Sequence, residues 1–190
     1  MILEIRFDGI IRHPSGWEET GNVISECIRA ISPKEIINGF YDGESTAVFY
    51  LIEPQAKHPS AYLHVSANEM SGYGALIWYT DGQPPRQGGI YEYAWISDNP
   101  APSDVDHRLM SDSYLPTYHD PASAVPLPQI RTAIEEFCRS ETGERPESIN
   151  WVTGEIIGHR SDKPIPEEPV YDYSDESRWL NIDGSPWIIE

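Results

Sequence analysis

Two stretches of the chain repeat their apolar residues at helical spacing. Over residues 20–31, Val23, Ile24, Cys27, Ile28 and Ile31 fall on one stripe, with Thr20 or Asn22 as possible caps. Ser32-Pro33-Lys34-Glu35 then repeats a helix-start signature: a capping Ser, Pro at the first helical position and Glu three residues after the cap. It predicts a second short helix after a break at Ser32, ended by Gly39 or Gly43. Leu127, Ile130, Ile134, Phe137 and Cys138 form the other stripe, about two and a half turns long. Pro126 and Pro128 suit its first turn, where a missing N–H costs no helical bond. Glu135 precedes Arg139 by four residues, the favourable orientation for an exposed pair. Gly143 is placed as the left-handed residue that ends this helix, and Pro146 keeps it from resuming.

Elsewhere the period is two. Leu3, Ile5 and Phe7 alternate with Glu4 and Arg6, and residues 45–52, 61–66, 73–80 and 90–96 read as four more strands. The connections hold Glu-Pro-Gln, a Gly-bearing segment and Asp81-Gly82-Gln83-Pro84-Pro85, too short for parallel crossovers, so the sheet is antiparallel. Residues 73–79 are apolar on both faces and predict a central strand covered on each side. Tyr91, Tyr93 and Trp95 share one face of their strand, a ladder better suited to core than to a ligand platform. Ile149 and Trp151 alternate with Ser148 and Asn150 and point at the second helix. Residues 99–124 have several Pro, Asp and Ser and no period; they predict a long loop over the surface. The expected architecture is α+β: one domain over residues 1–160, an antiparallel sheet of five or six strands with helices packed on it. An acidic extension follows over residues 161–190.

Composition adds one strong feature. Thirty-one Asp and Glu against thirteen Lys and Arg leave a net charge of −18 in 190 residues. Such a surface repels phosphate backbones and anionic lipid, so neither nucleic acid nor membrane is an expected partner; a basic protein is. Acidity alone is also compatible with simple solubility. No long apolar run or basic-flanked signal core is present, which predicts a soluble cytoplasmic protein. Cys27 and Cys138 sit on apolar helical faces as small hydrophobes, a disulfide between them remaining open. The extension carries eight acids, two bases and four Pro together with Tyr171, Tyr173, Trp179 and Trp187. Disordered tails are usually poor in rings, so it should pack on the domain in extended form or lie against a partner.

Catalytic patterns are weak. The six His are scattered, without metal-ligand spacing, and no cofactor or metal is expected. Asp104-Val105-Asp106-His107 and His119-Asp120 lie in a polar stretch where such clusters are ordinarily solvated. Ser71-Gly72-Tyr73-Gly74 precedes a strand, so it offers no helix amides to a phosphate. No nucleophile elbow exists, and neither Cys has a neighbouring base in sequence. A small enzyme with a metal or His/Asp site in the 99–124 loop is the alternative reading.

Thr142-Gly143-Glu144-Arg145-Pro146 leading to Ile149-Asn150-Trp151, behind the second helix, resembles the closing motif of a group of bacterial immunity proteins. Gly72-Tyr73-Gly74-Ala75-Leu76-Ile77-Trp78-Tyr79 is similar to their Gly-Ala-Leu strand. The resemblance covers roughly residues 40–152. It implies a protein that binds and neutralises a toxin of a polymorphic toxin system, in many cases a nucleic-acid deaminase, by covering its active site or substrate groove. Gly74, Leu76, Gly143, Pro146 and Trp151 match the pattern, and their residue types suit packing and turns. Toxin contacts are expected where rings stand among acids. These are Asp104, Asp106, Asp112, Tyr114 and Tyr118 in the long loop, and Asp172, Tyr173, Asp175, Glu176 and Trp179 in the extension.

Overall fold

The computed structural model describes residues 1–37, 40–42, 46–55, 59, 61–80, 94–112 and 117–164. Strands β1 (Ile2–Phe7) and β2 (Ile10–Arg12) form a hairpin, and helix α1 (Trp17–Ile31) follows. A small hairpin, β3 (Glu35–Ile37) and β4 (Phe40–Asp42), precedes β5 (Ala47–Ile52), β6 (Ala61–Asn68), β7 (Tyr73–Thr80) and β8 (Ala94–Asp98). A second small hairpin, β9 (Met110–Asp112) and β10 (Thr117–Tyr118), leads through a 3-10 turn, Pro121–Ser123, to β11 (Val125–Pro126). Helix α2 (Leu127–Ser140) and β12 (Asn150–Gly154) complete the order.

The main sheet is antiparallel, β12-β8-β7-β6-β5-β1-β2, with β11 also paired to β7. The expected fold class is therefore present, with eight strands in place of five or six. The additions are β2 and β11, of three and two residues, too short to show a period. Residues paired across strands share a face. Thus Ile5, Phe49, Leu63 and Trp78 line one side, reinforced by Phe7, Leu51, Val65 and Leu76. Against them lie Val23, Ile24, Cys27, Ile28 and Ile31 of α1 and Ile130, Ala133, Ile134, Phe137 and Cys138 of α2, one buried core. As expected, β7 is buried on both faces: Leu76 and Trp78 lie in the core under the helices, and on the other face Ala75 packs with Leu109 and Ala124 while Ile77 is buried beside Ala94 and Ile96 of β8.

Several local expectations are corrected. No second helix starts at Ser32. Its Oγ donates to Ile28 O at 2.7 Å, closing α1, and accepts from Glu69 N at 3.2 Å, tying that end to the β6–β7 turn. The chain then runs into the β3–β4 hairpin. Nor does Thr20 cap α1: the helix begins a turn earlier, and the buried Thr20 donates to Gly16 O. Glu141, at φ 53, is the left-handed residue ending α2, with Gly143 two residues further on. Residues 100–106 run over the surface as expected, but residues 107–112 and 117–124 do not. The latter form a strap against the sheet face opposite the helices, where Ser66 Oγ donates to Met110 O and Asn68 Nδ2 to His107 O (3.2 Å), and Ser97 Oγ of β8 ties its end by donating to Ser123 O (2.8 Å). Hydropathy misses this because the strap buries mainly polar groups, His107, Ser111, His119 and Ser123. Tyr91 and Tyr93, and the extension from residue 165, lie outside the described residues. Cys27 and Cys138 are free and buried.

Candidate functional site

The segment between α2 and β12, with the floor of β7 and β8, encloses a cleft of about 580 Å³. The segment is fixed at several points. Gly143 has φ 77, and a Cβ there would stand 2.9 Å from that of Ala61. Trp78 Nε1 donates to Gly143 O at 3.0 Å and Trp151 Nε1 to Pro146 O at 2.7 Å. The Glu136 carboxylate accepts from Glu147 N (2.7 Å) and Ser148 N (3.1 Å). Burial opposes ionisation of Glu136, but these donors outweigh it and hold its pKa below the usual carboxylate value. Trp78 and Trp95 are cross-strand partners on the cleft floor. The Arg145 guanidinium stacks 3.8 Å above the Trp95 ring and lies 5.9 Å from that of Trp78. Glu144, Glu147 and Asn150 are exposed along the rim.

Three of the five motif residues, Gly143, Pro146 and Trp151, thus meet at one site. The other two position the helix layer. A Cβ on Gly74 would come within 2.7 Å of Ser66 O and 3.2 Å of Ile130 Cγ1, so this glycine lets α2 lie close on β7. Leu76 is wholly buried in the core.

Leading into the strap, Asp104 and Asp106 are exposed. Asp106 Oδ1 accepts from Arg108 N at 2.7 Å, and the Arg108 guanidinium covers the Tyr118 ring at 4.7 Å. Asp112 is half-buried on β9. Tyr114 and all five extension residues, Asp172, Tyr173, Asp175, Glu176 and Trp179, lie outside the described residues. Beneath the strap, His107 stacks on Tyr73 with ring centroids 3.8 Å apart, and His119 Nε2 lies 3.3 Å from Ser66 Oγ. Burial lowers the pKa of His64 to about 4, against the opposing charge of Asp112. Burial, helped by His64, takes His119 to about 3.

This arrangement has little of a catalytic centre. Ser66 and His119 are in contact, yet they are 1% and 4% exposed, and the Ser hydroxyl donates to Met110 O, away from the ring. Burial raises the pKa of both thiols, that of Cys138 to about 12, so neither is a ready nucleophile. Among the described residues, no three His, Cys, Asp or Glu side chains are grouped to hold a metal ion, and no helix is long and apolar enough to cross a membrane.

The family model of immunity protein Imm1 matches residues 41–153, more than half of the chain. The chain belongs to the Imm1 immunity family. No curated protein and no solved structure matches it. The Imm1 match runs from within β4 to within β12, taking in the strap, α2 and the cleft and leaving out β1 and α1. An immunity protein has a cognate toxin as its partner, so the Imm1 surfaces of interest are those that present rings and charge to another protein. Sequence reasoning found the Imm1 motif but assigned Gly143, Pro146 and Trp151 to the fold alone. The cleft they build with Trp78, Trp95 and Arg145 had no sequence signal, because its walls come from four strands and a turn far apart in the chain.

Proposed function

We propose that this protein neutralises a cognate toxin domain in the cytoplasm of the producing cell by tight binding, without chemistry of its own. Membership of the Imm1 family carries the reading. The charge of −18 gives it a physical basis: a toxin that works on nucleic acid needs a basic groove for phosphates, and an acidic, ring-bearing protein can occupy that groove. The partner is a nucleic-acid-targeting toxin, with a deaminase as the first candidate, and its active site or substrate groove is what becomes covered. Asp104, Asp106, Asp112, Tyr114 and Tyr118 of residues 99–124 and Asp172, Tyr173, Asp175, Glu176 and Trp179 of the extension are candidate contacts.

Co-expression with the toxin domain encoded beside this chain tests the proposal. The toxin alone should halt growth, and the pair should grow and co-purify at one to one. Growth arrest despite expression of both proteins, with no complex recovered, refutes it. Deleting residues 165–190 separates the two contact regions: unchanged toxin affinity would remove the extension from the interface.

A further inference from the structure

The reading above leaves open which surface holds the partner most tightly. Binding energy at protein interfaces concentrates in a few rings set in a pocket, with charged contacts at the rim adding steering more than affinity. Among the described residues the two candidate regions differ in this respect. The strap and the residues leading into it offer the ring of Tyr118, covered by Arg108, and the exposed acids Asp104 and Asp106, and none of these lines the cleft. The cleft between α2 and β12 is concave, holds about 580 Å³ and gathers three indoles, Trp78, Trp95 and Trp151. Two of these, Trp95 and Trp151, are only partly buried, so an incoming group can reach them. The cleft lies on the helix side of the sheet, whereas the strap covers the other side.

We infer that this cleft is the anchor point for the toxin, and that its occupant is a Lys or Arg side chain on a loop of the toxin domain. The inference rests on the proposed function and adds the place and the chemistry of the contact. Three observations support a cationic occupant. Indole faces attract guanidinium and ammonium groups, as the Arg145 guanidinium stacked on Trp95 at 3.8 Å shows, and the Trp151 ring is also partly exposed in the cleft. Among the described residues the rim carries two exposed carboxylates, Glu144 and Glu147, against one cation, Arg145. The chain as a whole is strongly anionic, so an approaching basic loop is drawn to it from a distance. The cleft is also preformed. Its lip is pinned by the bonds from Trp78 to Gly143 O and from Trp151 to Pro146 O, and by the Glu136 carboxylate. Little ordering entropy therefore opposes binding there.

The test compares two double charge reversals in the full-length protein, Glu144→Lys/Glu147→Lys at the cleft and Asp104→Lys/Asp106→Lys beside the strap. The probe is the catalytically inactivated toxin domain encoded beside this chain, and the readout is affinity by calorimetry at physiological salt. All four positions are exposed, and thermal melts verify that both variants fold. The cleft pair should lose about thirtyfold or more in affinity, and the strap pair only about threefold. In parallel, the Trp95 indole N–H resonance should shift on complex formation in the unsubstituted protein. A cleft variant that binds as tightly as the parent, with an unmoved Trp95 signal, overturns the anchor while leaving the immunity role intact. Failure of the parent protein to bind the toxin domain overturns both.

Discussion

Gly143 shows how one backbone position can hold a site. Its φ of 77 lies where side chains are strained, an added Cβ would stand 2.9 Å from that of Ala61, and its carbonyl takes the Trp78 indole N–H. Gly143→Ala should therefore cost about 1–3 kcal/mol, read as a lower urea midpoint. Ala at the exposed Glu144 should change stability by no more than about 0.5 kcal/mol. The histidines under the strap give the second residue-scale expectation. His64 and His119 have folded pKa values near 4 and 3, below the unfolded value near 6.5. A lowered folded pKa means the fold requires the neutral ring. Stability is then complete above about pH 6.5 and is lost as pH falls towards the folded values, at up to roughly 1.4 kcal/mol per pH unit for each ring. Denaturation midpoints should already drop between pH 6.5 and 5, before most carboxylates titrate. A flat profile over that interval would contradict the burial of both rings. Neither expectation could be read from sequence, where His64 is one polar residue on an alternating strand.

At the scale of elements, legibility followed the chemistry of burial. Strand β7 was read to the residue and the buried stripe of α2 in all but Ala133, because Leu76, Trp78, Ile130, Ile134 and Phe137 bury apolar surface at a clear period. The end of α2 was not, since Glu141 closes it two residues before Gly143. Ser32 misled because a capping Ser followed by Pro describes a local start, whereas here its hydroxyl closes one helix and accepts from Glu69 N in a distant turn. The strap was misread as a surface loop for a related reason: what fixes it is hydrogen bonding between buried polar groups, to which hydropathy is blind. Two substitutions test these supports. Phe137→Ala, at a fully buried position of α2, should destabilise the whole domain by about 3–5 kcal/mol in chemical denaturation. Ser66→Ala removes a donor from Met110 O and should cost about 1–3 kcal/mol. Its signature should be local, with faster amide exchange over residues 107–112 and 117–120 and unchanged protection in β5 and β6. Uniform loss of protection would show that the strap and sheet open as one unit.

For the molecule as a whole, the family was legible because its motif is a compact run, Thr142 to Pro146 followed by Trp151, next to a helix the period already located. The binding surface was not, since a cleft assembled from β6, β7, β8, β12 and an intervening turn exists only after folding. Charge is the property that acts at this scale. With −18 on 190 residues, association with a basic domain should be steered, and raising salt should slow the on-rate more than it speeds dissociation. The account as a whole is tested most directly by titrating the activity of the adjacently encoded toxin domain with this purified protein. Inhibition should be complete at one equivalent, with both chains recovered unmodified and the toxin active again once separated. Inactivation by a small fraction of an equivalent, or full toxin activity at a large excess, would contradict it.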